Sequence, residues 1–350
     1  MAKAIQNTDK MSPINEKSKL LQEQELPAGV ETDGTRGKAD VKPKSFFGHI
    51  WNIISLSHLI TRDNQRAYMT PMIMFAMLSV ASGGVTTDPN PSWKDIAFSF
   101  PHVVLYMWLW VLYFDCSNQK EPEAVQEDKL NKPWRAIPSG RLTMESAETW
   151  YKWSCAILPA ASGLWLGGFP EAIAFMIETW IHDYAKGGDF WWSKNIINLF
   201  FYGTGQLGAT HVAVVHMGNN TMSRAGYEWC AMLALQTLTT IQLQDIKDME
   251  GDAARGRSTM PIAFGEWPCR YFTMAAICFW SVACPVYWSN GSLHAGFILP
   301  IFFGGLITIR SLTWTTLASD RRTWPYFILG WLPALYATPL LARFELLPVF

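Results

Sequence analysis

The chain predicts an all-α, integral membrane helical bundle of seven to nine transmembrane helices around a central apolar cavity. Apolar residues make up 49% of its 350 positions. They recur in windows, several of which reach the ~20 residues a helix needs to cross the hydrocarbon core of a bilayer. The charged residues collect in a few short stretches instead of spreading along the chain.

The windows fall at about 67–85, 97–117, 147–167, 169–184, 193–217, 227–246, 268–288, 292–317 and 324–342. Window 169–184 carries Glu171, Glu178, His182 and Asp183, so it either faces the bundle interior or fails to span. Residues 1–44 are polar and lack the apolar core of a signal peptide, and a disordered cytosolic tail is expected there. The membrane domain is expected to occupy 45–350. Its first stretch, with Phe46, Phe47, Ile50, Trp51, Ile53, Ile54, Leu56 and Leu59, is spaced like an amphipathic helix lying on the membrane surface. The six cysteines show no paired metal spacing and read as buried thiols.

If every window spans and the tail is cytosolic, one side of the membrane collects Lys120, Lys129, Lys132, Arg135, Arg141, Lys186, Lys194, Lys247, Arg255, Arg257, Arg270, Arg310, Arg321 and Arg322. The other keeps Lys94, Arg224 and Arg343. The positive-inside bias therefore supports nine alternating spans, and the loops after the second and sixth open on the same, cytosolic face.

The first of these loops begins with Asp115, Asn118 and Gln119 on one helical face; Pro122 then interrupts the helix. Glu123, Glu127 and Asp128 follow, and after them the cations Lys132, Arg135 and Arg141. The second loop places Asp245, Asp248 and Asp252 at i, i+3 and i+7, three carboxylates on one face, followed by Arg255 and Arg257. Like charges on adjacent turns repel. A magnesium ion removes that conflict, because it takes oxygen ligands and commonly uses one or two carboxylates while phosphate oxygens supply the rest. The cations after each cluster would neutralise a bound phosphate group.

The pattern DxxDxxxD at Asp245, Asp248 and Asp252, together with Asn131-Lys132-Pro133-Trp134-Arg135 and Pro138-Ser139-Gly140-Arg141, resembles the UbiA superfamily of intramembrane prenyltransferases. The likeness covers most of the chain from about residue 45. The first motif departs from the usual NDxxDxxxD of that family: Asn118 is followed by Gln119, and the acidic end comes late, at Glu127-Asp128. Of Asp115, Asn118, Gln119, Glu123, Glu127 and Asp128, the preferred metal ligands are Asn118 and Asp128, with Glu127 next. This variant is similar to the fungal branch that includes the membrane-bound sesquiterpene cyclase of fumagillin biosynthesis.

The resemblance implies a magnesium-dependent enzyme, probing one of two chemistries on a prenyl diphosphate. In the first, farnesyl diphosphate is ionised and cyclised to a sesquiterpene; in the second, the chain moves to an aromatic or other acceptor. Asn118, Asp128, Asp245 and Asp248 are the expected catalytic residues, with Asn118, Glu127, Asp128, Asp245, Asp248 and Asp252 on metal. Lys132, Arg135, Lys247 and Arg257 are expected on the diphosphate. The implied partners are the substrate, the lipid bilayer and the redox or tailoring enzymes of a biosynthetic pathway, with no nucleic acid; the implied location is the endoplasmic reticulum. A transporter or membrane scaffold is the reading from another class, and no internal repeat favours it.

Carbocations need aromatic faces, and Trp108, Trp110, Trp150, Trp153, Trp191, Trp192, Trp280, Tyr202 and Tyr336 are available, most of them as packing or interfacial residues. Gln206, His211, His216, Gln236, Gln242 and Gln244 are costly in lipid and should face the cavity or another helix. His211 and His216 are candidates to remove a terminal proton. Arg62 and Arg66 are either interfacial anchors or further diphosphate ligands.

Overall fold

The computed structural model describes residues 46–218 and 220–348, so the expected tail over 1–44 lies outside the described residues. The chain separates into two compact units, 1–52 and 53–350. Of the first, the described part is the opening of helix α1 (Phe46–Asn64), where Phe46, Phe47, Ile50 and Trp51 are exposed. All that follows concerns the second unit.

In that unit α1 continues with Ile53 and Ile54 exposed and Ile60 buried against Leu112, Cys116, Ala136 and Leu142. A π-helical turn, Gln65–Met69, joins it to α2 (Thr70–Ser82), which stops where Gly83 takes a left-handed φ of 65° that a Cβ would disfavour. Helix α3 (Trp93–Gln119) starts at Ser92, whose hydroxyl accepts from the Lys94 amide, and the short α4 (Pro122–Asn131) restarts the chain on Pro122 as expected. Then come α5 (Met144–Ala161), α6 (Phe169–Asp183), α7 (Trp191–Val215), α8 (Arg224–Thr240) and α9 (Leu243–Ala254). The last third holds α10 (Met260–Phe264), α11 (Glu266–Tyr287), α12 (Ile298–Thr313), α13 (Leu317–Tyr326), α14 (Leu332–Tyr336) and α15 (Thr338–Leu341). A small antiparallel ribbon, β1 (Ser292–His294) with β2 (Glu345–Pro348), was not legible in the sequence.

Helix α7 packs on α8, α2, α3 and α6, so it runs through the middle of the bundle. Its small residues permit this: any Cβ at Gly205 or Gly208 would strike Tyr68 or Tyr106. Among the described residues, three helices have the length and apolar composition to cross a membrane: Trp93–Gln119, Glu266–Tyr287 and Ala295–Thr313. Two windows are corrected. Window 227–246 overran, since α8 ends at Thr240 and α9 begins after the turn at Ile241–Gln242, which leaves Asp245 on a separate helix. Window 324–342 is broken by a π turn, Phe327–Trp331, and again at Ala337, around Pro333 and Pro339, which lack amide hydrogens. Helix α6 has only 15 residues, and its polar side chains turn inward: Glu171 meets His211 at 2.7 Å and Glu178 accepts from Thr204 at 2.7 Å.

The fully buried Arg270 ties α11, α12 and α13 together. Its guanidinium forks onto Asp320 at 2.9 and 2.6 Å, reaches the Ser311 carbonyl at 2.9 Å and pairs with Glu266 at 2.8 Å. Lysine cannot reproduce a planar fork. Arg270→Lys is expected to cost about 1.5–3 kcal/mol, the scale of a lost hydrogen bond to a charged group, read as a lowered thermal midpoint in detergent.

Candidate active site

One cavity gathers residues from both charged loops. Along α7 its lining runs Lys194, Asn198, Phe201 and Tyr202, and along α3, in the reverse direction, Asn118, Phe114 and Val111. The C-terminal end of α3 and the N-terminal end of α7 therefore share a polar mouth, and the aromatic residues lie deeper. At the mouth stand Glu127, Lys132 and Arg135 from the first loop and Gln244, Asp248, Asp252 and Arg257 from the second. Tyr68, Phe175 and Tyr202 line the deeper part, with Trp110 stacked behind Phe175 at a centroid distance of 4.0 Å.

The two acidic stretches meet over arginine. Glu127 pairs with Arg255 at 3.0 Å and with Arg257 at 3.1 Å, and the same Arg257 nitrogen donates to Asp252 at 3.2 Å. Burial acts to raise the Glu127 pKa, but Arg257, Lys132 and Arg255 outweigh it and hold the carboxyl down at about 2. Asp248 is lowered in the same way: burial opposes, while Lys247 and Lys132 prevail. Lys132 goes the other way. Burial first and the Arg135 charge second depress its pKa, against the pull of Asp248 and Asp128. Lys132, Arg135 and Arg257 line the same mouth, and such a cluster of cations suits an anionic ligand.

Asp245, Asp248 and Asp252 do not share one environment, despite their spacing on α9. Asp248 and Asp252 line the cavity; Asp245 is buried and takes a 2.6 Å bond from Lys194, which also lies 3.7 Å from Asp252. Asp128 also departs from its expected position on metal. It is buried away from the cavity lining, and both its oxygens accept from Arg135 Nη1, at 3.0 and 2.8 Å. Arg135 reaches Asp63 at 3.3 Å as well. Lys247, expected on diphosphate, instead binds Asp248 at 2.6 Å with its ammonium 5.3 Å from the Trp324 ring centre, outside the lining. Asn118 does line the cavity, and its Nδ2 donates to Asp183 at 3.1 Å.

Among the described residues no three acidic, histidine or cysteine side chains come together as a protein-only metal cluster. The donor set nevertheless fits a hard cation. Asp245 Oδ2 and Asp252 Oδ2 are buried without a hydrogen-bond partner among the described residues, a condition that costs about 1–3 kcal/mol or more for a charged group. Magnesium commonly takes one or two carboxylates while phosphate oxygens complete its shell, so it does not require a larger protein-only cluster.

Neither His211 nor His216 reaches the lining: His211 is held by Glu171 and Tyr227, and His216 stacks on His102 at 3.7 Å. Arg62 lies 6.0 Å from the Trp134 ring centre, outside the lining. The sequence reading missed Lys194 and His182 as site residues, and it missed Tyr68, Phe114, Phe175 and Phe201 as wall residues. A usable signal existed: Lys194, Asn198 and Phe201 continue one helical face, as do Phe175 and His182, and each face leads away from a polar residue at a helix end.

The UbiA prenyltransferase family model matches residues 75–333, most of the chain. The chain belongs to the UbiA prenyltransferase family. The diterpene cyclase eriG of Hericium erinaceus is 31% identical to it over 62% of this chain and 71% of that protein. The polyprenyl transferase eriF of the same fungus is also 31% identical, over 55% of this chain and 68% of that one. The fumagillin beta-trans-bergamotene synthase of Aspergillus fumigatus is 24% identical over 53% and 64%, in agreement with the resemblance to the fungal branch. Among solved structures, a UbiA homolog from Archaeoglobus fulgidus bound to GPP and Mg2+ matches with a TM-score of 0.53 at 16% identity, covering 82% of this chain and 99% of that one, which shows the fold. This UbiA member is an integral membrane enzyme of prenyl chemistry.

Proposed function

We propose that the protein is a magnesium-dependent terpene cyclase that ionises farnesyl diphosphate and closes the resulting cation to a sesquiterpene. The observation that carries this reading is the cavity, whose mouth is lined by paired acids and cations and whose depth is lined by aromatic rings. Asp248 and Asp252 would hold the metal, and Asp245, Glu127 and the Asn118 amide oxygen would be further oxygen donors to it. Lys132 and Arg257 donate to the diphosphate. Asp128 and Asp63 fix the Arg135 guanidinium at the rim. Bound magnesium supplies electrostatic stabilisation of the departing diphosphate.

The C1–O bond then breaks, its electron pair leaving with the diphosphate, and an allylic cation remains in the deeper part. Phe114, Phe175, Phe201 and the two tyrosines present π faces, each contributing about 0.5–2 kcal/mol to a desolvated cation. Their apolar wall excludes water until ring closure and transfer of a proton from the cyclised cation to the released diphosphate give the hydrocarbon. The loop cations support a cytosolic mouth, and the endoplasmic reticulum membrane is the proposed location.

The 31% identity to a polyprenyl transferase favours a second reading, transfer of the chain to an acceptor. Membranes containing the protein, given farnesyl diphosphate and magnesium alone, separate the two. The cyclase reading expects a volatile sesquiterpene; turnover that begins only when an acceptor is added defeats it.

A further inference from the structure

We infer that Tyr68, seated against α7 by the missing side chain at Gly205, closes the far end of the cavity and sets the length of prenyl chain the site accepts. The inference rests on the prenyl diphosphate reading above. Tyr68 lies in the π-helical turn Gln65–Met69, and such turns redirect side chains relative to an α-helix. Its ring lines the cavity, and its hydroxyl donates to the Phe201 carbonyl at 2.5 Å. A Cβ at Gly205 would fall on that hydroxyl oxygen, so the seat exists only for glycine. Helix rise puts Gly205 about 16 Å beyond Lys194 and the charged mouth.

The ring has little freedom elsewhere. It runs parallel to Trp110 and Phe175, at centroid distances of 6.5 and 6.2 Å, and meets Tyr202 edge-on at 5.3 Å. Displaced from α7, it shifts into the cavity and shortens it. Removed altogether, it leaves a space larger than the five-carbon unit by which prenyl diphosphates differ. Two substitutions at one contact therefore act in opposite directions, which general damage to the site does not do.

The test measures magnesium-dependent binding of unreactive geranyl, farnesyl and geranylgeranyl thiolodiphosphates to the full chain in detergent, with thermal unfolding as the check on folding. Tyr68→Ala is expected to shift the affinity ratio towards geranylgeranyl by about tenfold or more, and Gly205→Ala to shift it towards geranyl by a similar factor. Tyr68→Phe, which keeps the ring, retains the wild-type order. Folded Tyr68→Ala and Gly205→Ala proteins that both keep the wild-type ratios within about twofold overturn the inference. Should Tyr68→Ala not fold, Gly205→Ala decides alone. Chain-length shifts in a protein that forms no hydrocarbon support the depth assignment while defeating the cyclase; no binding of any analogue to the wild type overturns both.

Discussion

Asp248→Asn lowers kcat/KM for the prenyl diphosphate by about 100- to 1000-fold, the scale of losing one preorganised electrostatic group in a water-poor site. The substitution is close to isosteric, so it removes charge while keeping shape. Asp248 lines the mouth beside Asp252 and is held ionised by Lys247 and Lys132. Its loss should fall mainly on kcat and raise the magnesium concentration needed for half-maximal rate, while thermal unfolding without metal stays near that of the wild type. Initial rates over a magnesium titration check this. A variant with wild-type rates and wild-type metal dependence removes Asp248 from the machinery.

Lys194→Met has its largest effect on stability. The ammonium lies between Asp245, at 2.6 Å, and Asp252, at 3.7 Å, and both carboxylates are buried. Deleting one partner of a buried ion pair typically costs about 3–5 kcal/mol, because the remaining charge has no compensation. Here two carboxylates remain. The metal-free variant should therefore unfold at a clearly lower temperature, and magnesium should restore more stability to it than to the wild type, since a ligand that binds only the folded state stabilises it by mass action. Melting curves in chelator and in magnesium provide the comparison; equal gains for the two proteins contradict a cation site at these carboxylates.

The charged half of the site was largely legible because charge is rare in an apolar chain. Glu127, Lys132, Arg257, Asp248 and Asp252 stood out in the sequence and all reach the mouth. The finer assignment failed for a geometric reason. Glu127 and Asp128 are neighbours, but one residue turns a helix by about 100°, so the first meets Arg257 and the second Arg135. Lys194 was visible only as a loop charge, since its partner Asp245 lies 51 positions away in sequence. The aromatic wall was hidden because lipid is as apolar as a cavity, so hydropathy alone cannot tell which face of a span carries the site. The end of α8 was overrun because the turn at Ile241–Gln242 contains neither glycine nor proline.

The shared arginine at the mouth bears on how substrate and ion arrive. Arg257 spans Glu127 and Asp252, so a diphosphate that takes over its guanidinium must exchange places with carboxylates. Each guanidinium nitrogen it takes over frees a carboxylate oxygen, and that oxygen then needs a cation of its own. On the proposed chemistry, salt and substrate therefore help one another to bind, and neither alone can unlatch the entrance without leaving a charge unanswered.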